Sequence, residues 1–111
     1  MNGYLERQME LLQEKQNKIN TEKRLLEFLV HKENGLSKKT FEYYYLTYYY
    51  FREILIKESV DVIEFTRLTA DIKNRWLRSG NSIYENYLRN YPYSWVTRQI
   101  TDLRRGGIKT C

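Results

Sequence analysis

Ser37-Lys-Lys-Thr-Phe-Glu-Tyr-Tyr-Tyr-Leu-Thr-Tyr-Tyr-Tyr-Phe-Arg-Glu-Ile-Leu-Ile-Lys57 is the stretch on which the fold turns. Ser37 is a good helix N-cap, and no glycine or proline interrupts the twenty residues after it. At 3.6 residues per turn, Phe41, Tyr45, Tyr48 and Leu55 share one stripe, with Tyr44 and Phe51 beside it. Tyr43, Leu46, Tyr50 and Ile54 fall on the opposite stripe. A helix that is apolar on both faces is normally buried between neighbours, so Lys38–Lys57 is expected to be central, with one face available for another subunit. Tyrosines also stack on unpaired bases. Their place in the less basic part of the chain favours a core or interface role.

Upstream, Tyr4 to about Lys32 reads as one long helix of roughly 42 Å. Asn34-Gly35 is expected to end it, glycine supplying a left-handed C-cap. Leu5, Leu12, Ile19 and Leu26 recur every seven residues; Met9, Gln16, Lys23 and Val30 follow each by four. Taken as d and a positions, this is a coiled-coil register with polar middle a positions, and Leu5, Met9, Leu12, Ile19 and Leu26 become candidate dimerisation residues. The alternative is that Leu11, Leu25, Phe28 and Leu29 pack the helix on the chain's own core. Both stay open.

Downstream, Ser59 to Thr66 alternates weakly and reads as a loop or short strand. Thr69 is expected to cap a third helix, Ala70 to Arg78, with Ile72, Trp76 and Leu77 inward and Gly80 closing it. Ser82 or Asn81 would start a fourth, Ile83 to Asn90, with Ile83, Tyr87 and Leu88 as its apolar face. Tyr91-Pro92 stops it, because the residue before proline avoids the helical region. Ser94 would cap a fifth, Trp95 to Arg105, ended by Gly106-Gly107. The expected fold is mainly α, about five helices, divided into a long N-terminal helix (1–34) and a helical domain (35–111).

Composition narrows the function. The 111 residues carry a formal charge of +5, with one cysteine (Cys111) and one histidine (His31). A single cysteine forms no intramolecular disulfide or cysteine metal cluster, and one histidine leaves little for zinc or a histidine-based triad. No apolar run reaches membrane-spanning length, and Met1–Glu10 lacks a basic-then-apolar leader pattern. These features point to a reducing, cytoplasmic setting with no membrane partner. Gly106-Gly107 lacks phosphate-loop spacing, and Asp61 and Glu64 have no histidine or metal-ligand neighbour in sequence. No tyrosine has an evident activating base. No enzyme, cofactor or small-molecule substrate is expected.

The charge is uneven. The last 45 residues hold nine basic and three acidic side chains, seven of the nine being arginine, whereas the first 66 are slightly acidic. Arginine's planar fork suits phosphates and guanine edges, and a neutral part joined to an arginine-rich part is the footprint of a polyanion binder. Within Ser82–Ile108, a short helix, a tight turn at Tyr91–Ser94 and a second helix have the length pattern of a helix-turn-helix. On the second helix Val96, Ile100 and Leu103 face inward, and Thr97, Arg98, Thr101 and Arg105 face outward. Such a helix can enter a major groove, with Arg98 at base edges and Arg104, Arg105 and Lys109 on phosphates. Thr97 and Thr101 add hydroxyl contacts, and Ser94 opens the helix.

Ser94-Trp-Val-Thr-Arg-Gln-Ile-Thr-Asp-Leu-Arg-Arg-Gly-Gly-Ile108 resembles the recognition helix of winged helix-turn-helix regulators. In that family a capping serine precedes Val, Ile and Leu at core spacing, then a glycine and an aliphatic residue open the wing. The chain departs from the pattern at Tyr87, where a small residue usually lets two helices approach. With Cys111 as the last residue, a bare helix-turn-helix or truncated wing is the expectation. A second stretch, Phe28-Leu-Val-His-Lys-Glu-Asn-Gly-Leu-Ser-Lys-Lys-Thr-Phe-Glu-Tyr-Tyr-Tyr45, with Phe51 and Leu68-Thr-Ala-Asp-Ile72, is similar to the core-binding helical domain of tyrosine recombinases. That domain clamps DNA and performs no chemistry. Both resemblances imply double-stranded DNA as partner, through different surfaces. The expected function is a small dimeric DNA-binding regulator; the competing one is a helical protein-interaction module built on the tyrosine-rich and heptad helices.

Overall fold

The computed structural model describes residues 2–80 and 83–106. Among them there are five helices and no strand: α1 (Asn2–Gly35), α2 (Lys38–Lys57), α3 (Val62–Ser79), α4 (Tyr84–Arg89) and α5 (Tyr93–Arg104). The mainly α expectation holds. No described helix is long and apolar enough to cross a membrane.

α1 and α2 form an antiparallel hairpin joined at Leu36-Ser37. Gly35 is still helical and has no positive φ, unlike Gly80 and Gly106, so the expected left-handed cap at Gly35 is absent. The chain turns at Ser37 instead. Its backbone is extended (φ −65°, ψ 156°), and its hydroxyl accepts from the Thr40 N–H at 3.2 Å. α2 has the expected bounds. It bends at Phe51 (φ −116°, ψ 18°), next to the Tyr50 carbonyl, which accepts a hydrogen bond from the Tyr93 hydroxyl of α5 at 3.2 Å. A side chain entering the helical ladder is a recognised cause of such a bend.

α2 ends in a Schellman turn. Ser59 N–H bonds the Ile56 carbonyl (3.1 Å) and Val60 N–H the Leu55 carbonyl (3.0 Å), with Ser59 left-handed at φ 51°. Val60 and Leu55 are both fully buried there, which supplies the apolar contact of the motif.

The loop-or-strand reading of Ser59–Thr66 is overturned. Asp61 accepts from Glu64 N–H at 2.8 Å, and Glu64 accepts from Asp61 N–H at 3.0 Å, a capping box that starts α3 at Val62. Thr69, expected to cap this helix, is buried in its middle. Leu77 and Ile83, expected inward, are both more than half exposed. Gly80 closes α3 with φ 72° as expected. α4 has no side-chain cap at Ile83; the proposed caps Asn81 and Ser82 lie outside the described residues. α5 begins directly after Pro92, so Ser94 is not its cap but an exposed residue of its first turn. Proline fixes its own φ, and its carbonyl accepts the first helical N–H groups, from Trp95 (3.1 Å) and Val96 (3.3 Å).

The core surrounds α2. Leu25 and Leu29 of α1 and Phe65, Leu68 and Ile72 of α3 pack with Phe51, Ile54 and Leu55, joined by Leu88, Val96 and Ile100. Aromatic contacts fill the corners: Tyr84 meets Tyr43 edge-on (4.6 Å) and Trp76 (5.3 Å), while Phe28 contacts Tyr44 and Phe65. Both faces of α2 are thus covered largely from within the chain, although Tyr45 and Tyr49 stay exposed.

Candidate nucleic-acid interface

α5 is held by Val96 and Ile100, both fully buried, and by half-buried Leu103. That inner stripe turns Arg98, Thr101 and Arg105 outward, where all three are exposed. Thr97 is half-buried. Its hydroxyl donates to the Tyr93 carbonyl and that of Thr101 to the Thr97 carbonyl, both at 3.0 Å. Each hydroxyl has therefore spent its proton on its own helix and is left as an acceptor, a poor match for phosphate oxygen.

The arginines divide sharply. The phosphate role expected for Arg104 is corrected by its surroundings: its guanidinium reaches across to α3, donating from Nε to Glu64 at 2.5 Å and from Nη2 to the Glu58 carbonyl, with the Glu58 carboxylate 3.6 Å away. The Glu64 hydrogen bond, followed by the nearby carboxylates, holds its pKa above the ordinary arginine value. Arg104 fastens α5 to the start of α3, and its charge is neutralised there. Arg98 and Arg105 form no ion pair among the described residues. Lys109 lies outside the described residues.

α3 lies beside α5 and adds charge that the α5-centred reading overlooked. Arg67, Asp71, Arg75 and Arg78 follow one another at spacings of four, four and three, which places them on one stripe of α3. Arg67 and Asp71 line a groove with Gln99 and Asp102 of α5. Arg75 bonds Asp71 at 3.2 Å and lies over the Trp95 ring at 4.9 Å. The adjoining outward stripes of α3 and α5 thus carry five guanidiniums against Asp71 and Asp102. The three-to-four spacing in α3 is the available signal, and a helix start at Thr69 hides it by severing Arg67 from Arg75 and Arg78.

The turn between α4 and α5 departs from a close-packed helix-turn-helix. Tyr91 stacks on Trp95 (4.4 Å between centroids, 2° between planes), and the Tyr87 and Tyr91 hydroxyls are hydrogen-bonded. Burial, then the Tyr87 contact, raises the Tyr91 phenol well above its ordinary value. Three rings occupy the corner where a small residue usually sits in that motif. Both helices pack on α2.

The dimerisation candidates are all on the surface. Leu5, Met9, Leu12, Ile19 and Leu26 are each between 44% and 69% exposed. Of the residues offered by the competing reading, Leu25 and Leu29 are buried and Phe28 is half-buried, but Leu11 is exposed. The helix uses one face for its own core and leaves the heptad stripe bare. No group of three or more His, Cys, Asp or Glu among the described residues is placed to hold a metal ion. Set against known proteins, the chain matches no family model, no curated protein and no solved structure, so the reading of this face rests on its own geometry.

Proposed function

We propose that this chain is a small duplex-DNA-binding protein, acting in transcription regulation, whose interface is the outward face of α5 together with the arginine stripe of α3. One observation carries the reading. In the body of the protein Arg52, Arg75, Arg89 and Arg104 are each tied to a carboxylate, while Arg67, Arg78, Arg98 and Arg105 form no ion pair among the described residues. Those four lie on α3 (Arg67, Arg78), on α5 (Arg98) and just after it (Arg105), two helices that lie side by side; the remaining arginines without an ion pair among the described residues, Arg7 and Arg24, are on α1. A guanidinium without a protein carboxylate can release the condensed counterion of a phosphate, which drives duplex binding. In this reading Arg98, near the start of α5, approaches base edges, and Arg67, Arg78 and Arg105 meet the backbone.

Binding of a labelled mixed-sequence duplex, followed by fluorescence anisotropy across salt concentrations, tests it. Three phosphate contacts, from Arg67, Arg78 and Arg105, predict a slope of log affinity against log salt of about −3. Arg67→Ala and Arg78→Ala each flatten that slope by about 1. Arg98→Ala costs about 1–3 kcal/mol on a preferred site and blurs sequence preference. Arg104→Met leaves the slope unchanged. Absence of binding at low salt, or equal slopes in all variants, rejects the proposal.

The second reading, interaction through helices, is favoured by the bare heptad stripe of α1. Its simplest form is a homodimer.

A further inference from the structure

Every residue of α1 from Gly3 to Asn20 is exposed, and Thr21 is the first buried one. Roughly the first half of a 34-residue helix therefore extends past the body, which gives the molecule its 58 Å long dimension. A helix of that length with no tertiary contact is marginal in water, since most helical stability in proteins comes from packing an apolar face. The apolar face is present. Leu5, Met9, Leu12, Ile19, Leu26 and Val30 form a stripe roughly 140° around the helix from Thr21, Leu25 and Leu29, which pack on the body. The stripe therefore runs along the side of the helix away from the chain's own core, although Ile19 also lines a groove with Arg52 and Ile56 of α2, and contiguous exposed apolar surface of this kind marks an interaction site.

We infer that the occupant is a second copy of this chain, its α1 lying antiparallel on the first. This rests on the α1 interaction reading and is independent of the nucleic-acid reading. Length supports it: the projecting part, 3–17, matches the body-bearing part, 18–32, so two antiparallel helices cover each other completely. The register that does so sets Leu5 against the partner's Val30, Met9 against the partner's Leu26 and Gln16 against the partner's Ile19. Leu12 then meets the aliphatic stem of the partner's Lys23, whose ammonium extends to water.

Charge selects the direction. A parallel pair places Lys23 against the partner's Lys23 in the seam and Glu22 beside the partner's Glu27, both repulsive. The antiparallel pair removes both clashes. It brings Lys15 to the partner's Glu22, a flanking contact of opposite sign, and sets Glu6 beside the partner's Glu27, a like-charge contact on the rim of the seam. The seam lysine therefore decides. The antiparallel arrangement also brings the Leu5 end to the partner's α1–α2 groove, lined by Glu33, Phe41 and Tyr45. There the stacked Tyr45 and Tyr49 rings, exposed in the single chain, gain cover.

Sedimentation of the full chain without DNA reads the assembly, and cysteine cross-linking reads its direction. A dimer at tens of micromolar is expected, with Met9→Glu/Leu12→Glu weakening it at least about tenfold. Both positions are exposed and outside the body, so the body folds in that variant, as thermal unfolding will verify. In a Cys111→Ser background, Leu5→Cys/Val30→Cys is expected to oxidise to a covalent dimer, while Leu12→Cys alone is not. A monomer at about 100 µM, or efficient cross-linking through Leu12→Cys alone, overturns the inference. Because no DNA is present, its failure leaves the salt titration untouched.

Discussion

Tyr84 shows how one residue ties three elements together. Its ring fits between Tyr43 and Trp76, and its hydroxyl lies 3.3 Å from the Thr47 hydroxyl. Burial, the dominant cause, pushes its pKa well above the usual 10. A raised pKa means the fold holds the proton more tightly than the unfolded chain does. The stabilisation is therefore complete below about pH 10 and is lost as pH rises above it, when unfolded phenols ionise first. Tyr84→Phe should cost about 1 kcal/mol at neutral pH, because Thr47 keeps its own bond to the Tyr43 carbonyl at 2.7 Å. Urea midpoints measured from pH 8 to about 11 should fall less steeply in the variant than in the parent; parallel curves would contradict this. Sequence alone named Ile83, Tyr87 and Leu88 as the apolar face here, whereas Tyr84 and Leu88 are the buried pair. Six residues contain fewer than two turns, too few for periodicity to select a face, so contact with α2 selects it.

Among the elements, accuracy followed the strength of local signals. α2 was legible to the residue because Ser37 caps it and a glycine-free apolar run sustains it. The start of α3 is obscured in the sequence, although Asp61-x-x-Glu64 is a capping-box pattern, because Val60 and Val62 flank Asp61 in weak strand-like alternation. The join between them stores a cost. Ser59 is left-handed where a side chain collides with its own backbone, at about 1–2 kcal/mol. Ser59→Gly keeps the Schellman bonds, all made by the backbone, and should raise stability by about 1 kcal/mol in equilibrium denaturation with an unchanged slope. Destabilisation would show that the Ser59 side chain makes a compensating contact.

For the molecule as a whole, α1 divides the protein into a packed body and a helix that carries an unused apolar stripe. If a second copy fills that stripe, folding and association are linked, and the melting temperature must rise with protein concentration. Calorimetry or circular dichroism over about a hundredfold concentration range should show the rise in the parent and a flat response in Met9→Glu/Leu12→Glu. A flat response in both would leave the body as a self-sufficient monomer. The amino-acid sequence by itself determined the helical class, the α2 bounds, the heptad stripe and the arginine surplus, because periodicity, capping and charge are properties of near neighbours along the chain. Only the tertiary structure decided that Arg104 is neutralised by Glu64, forty positions away, that Arg67 and Asp71 share a groove with Gln99 and Asp102 of α5, and that the heptad stripe faces away from the core. Those outcomes depend on which helices pack against α2, and spacing along one helix carries no record of its neighbours.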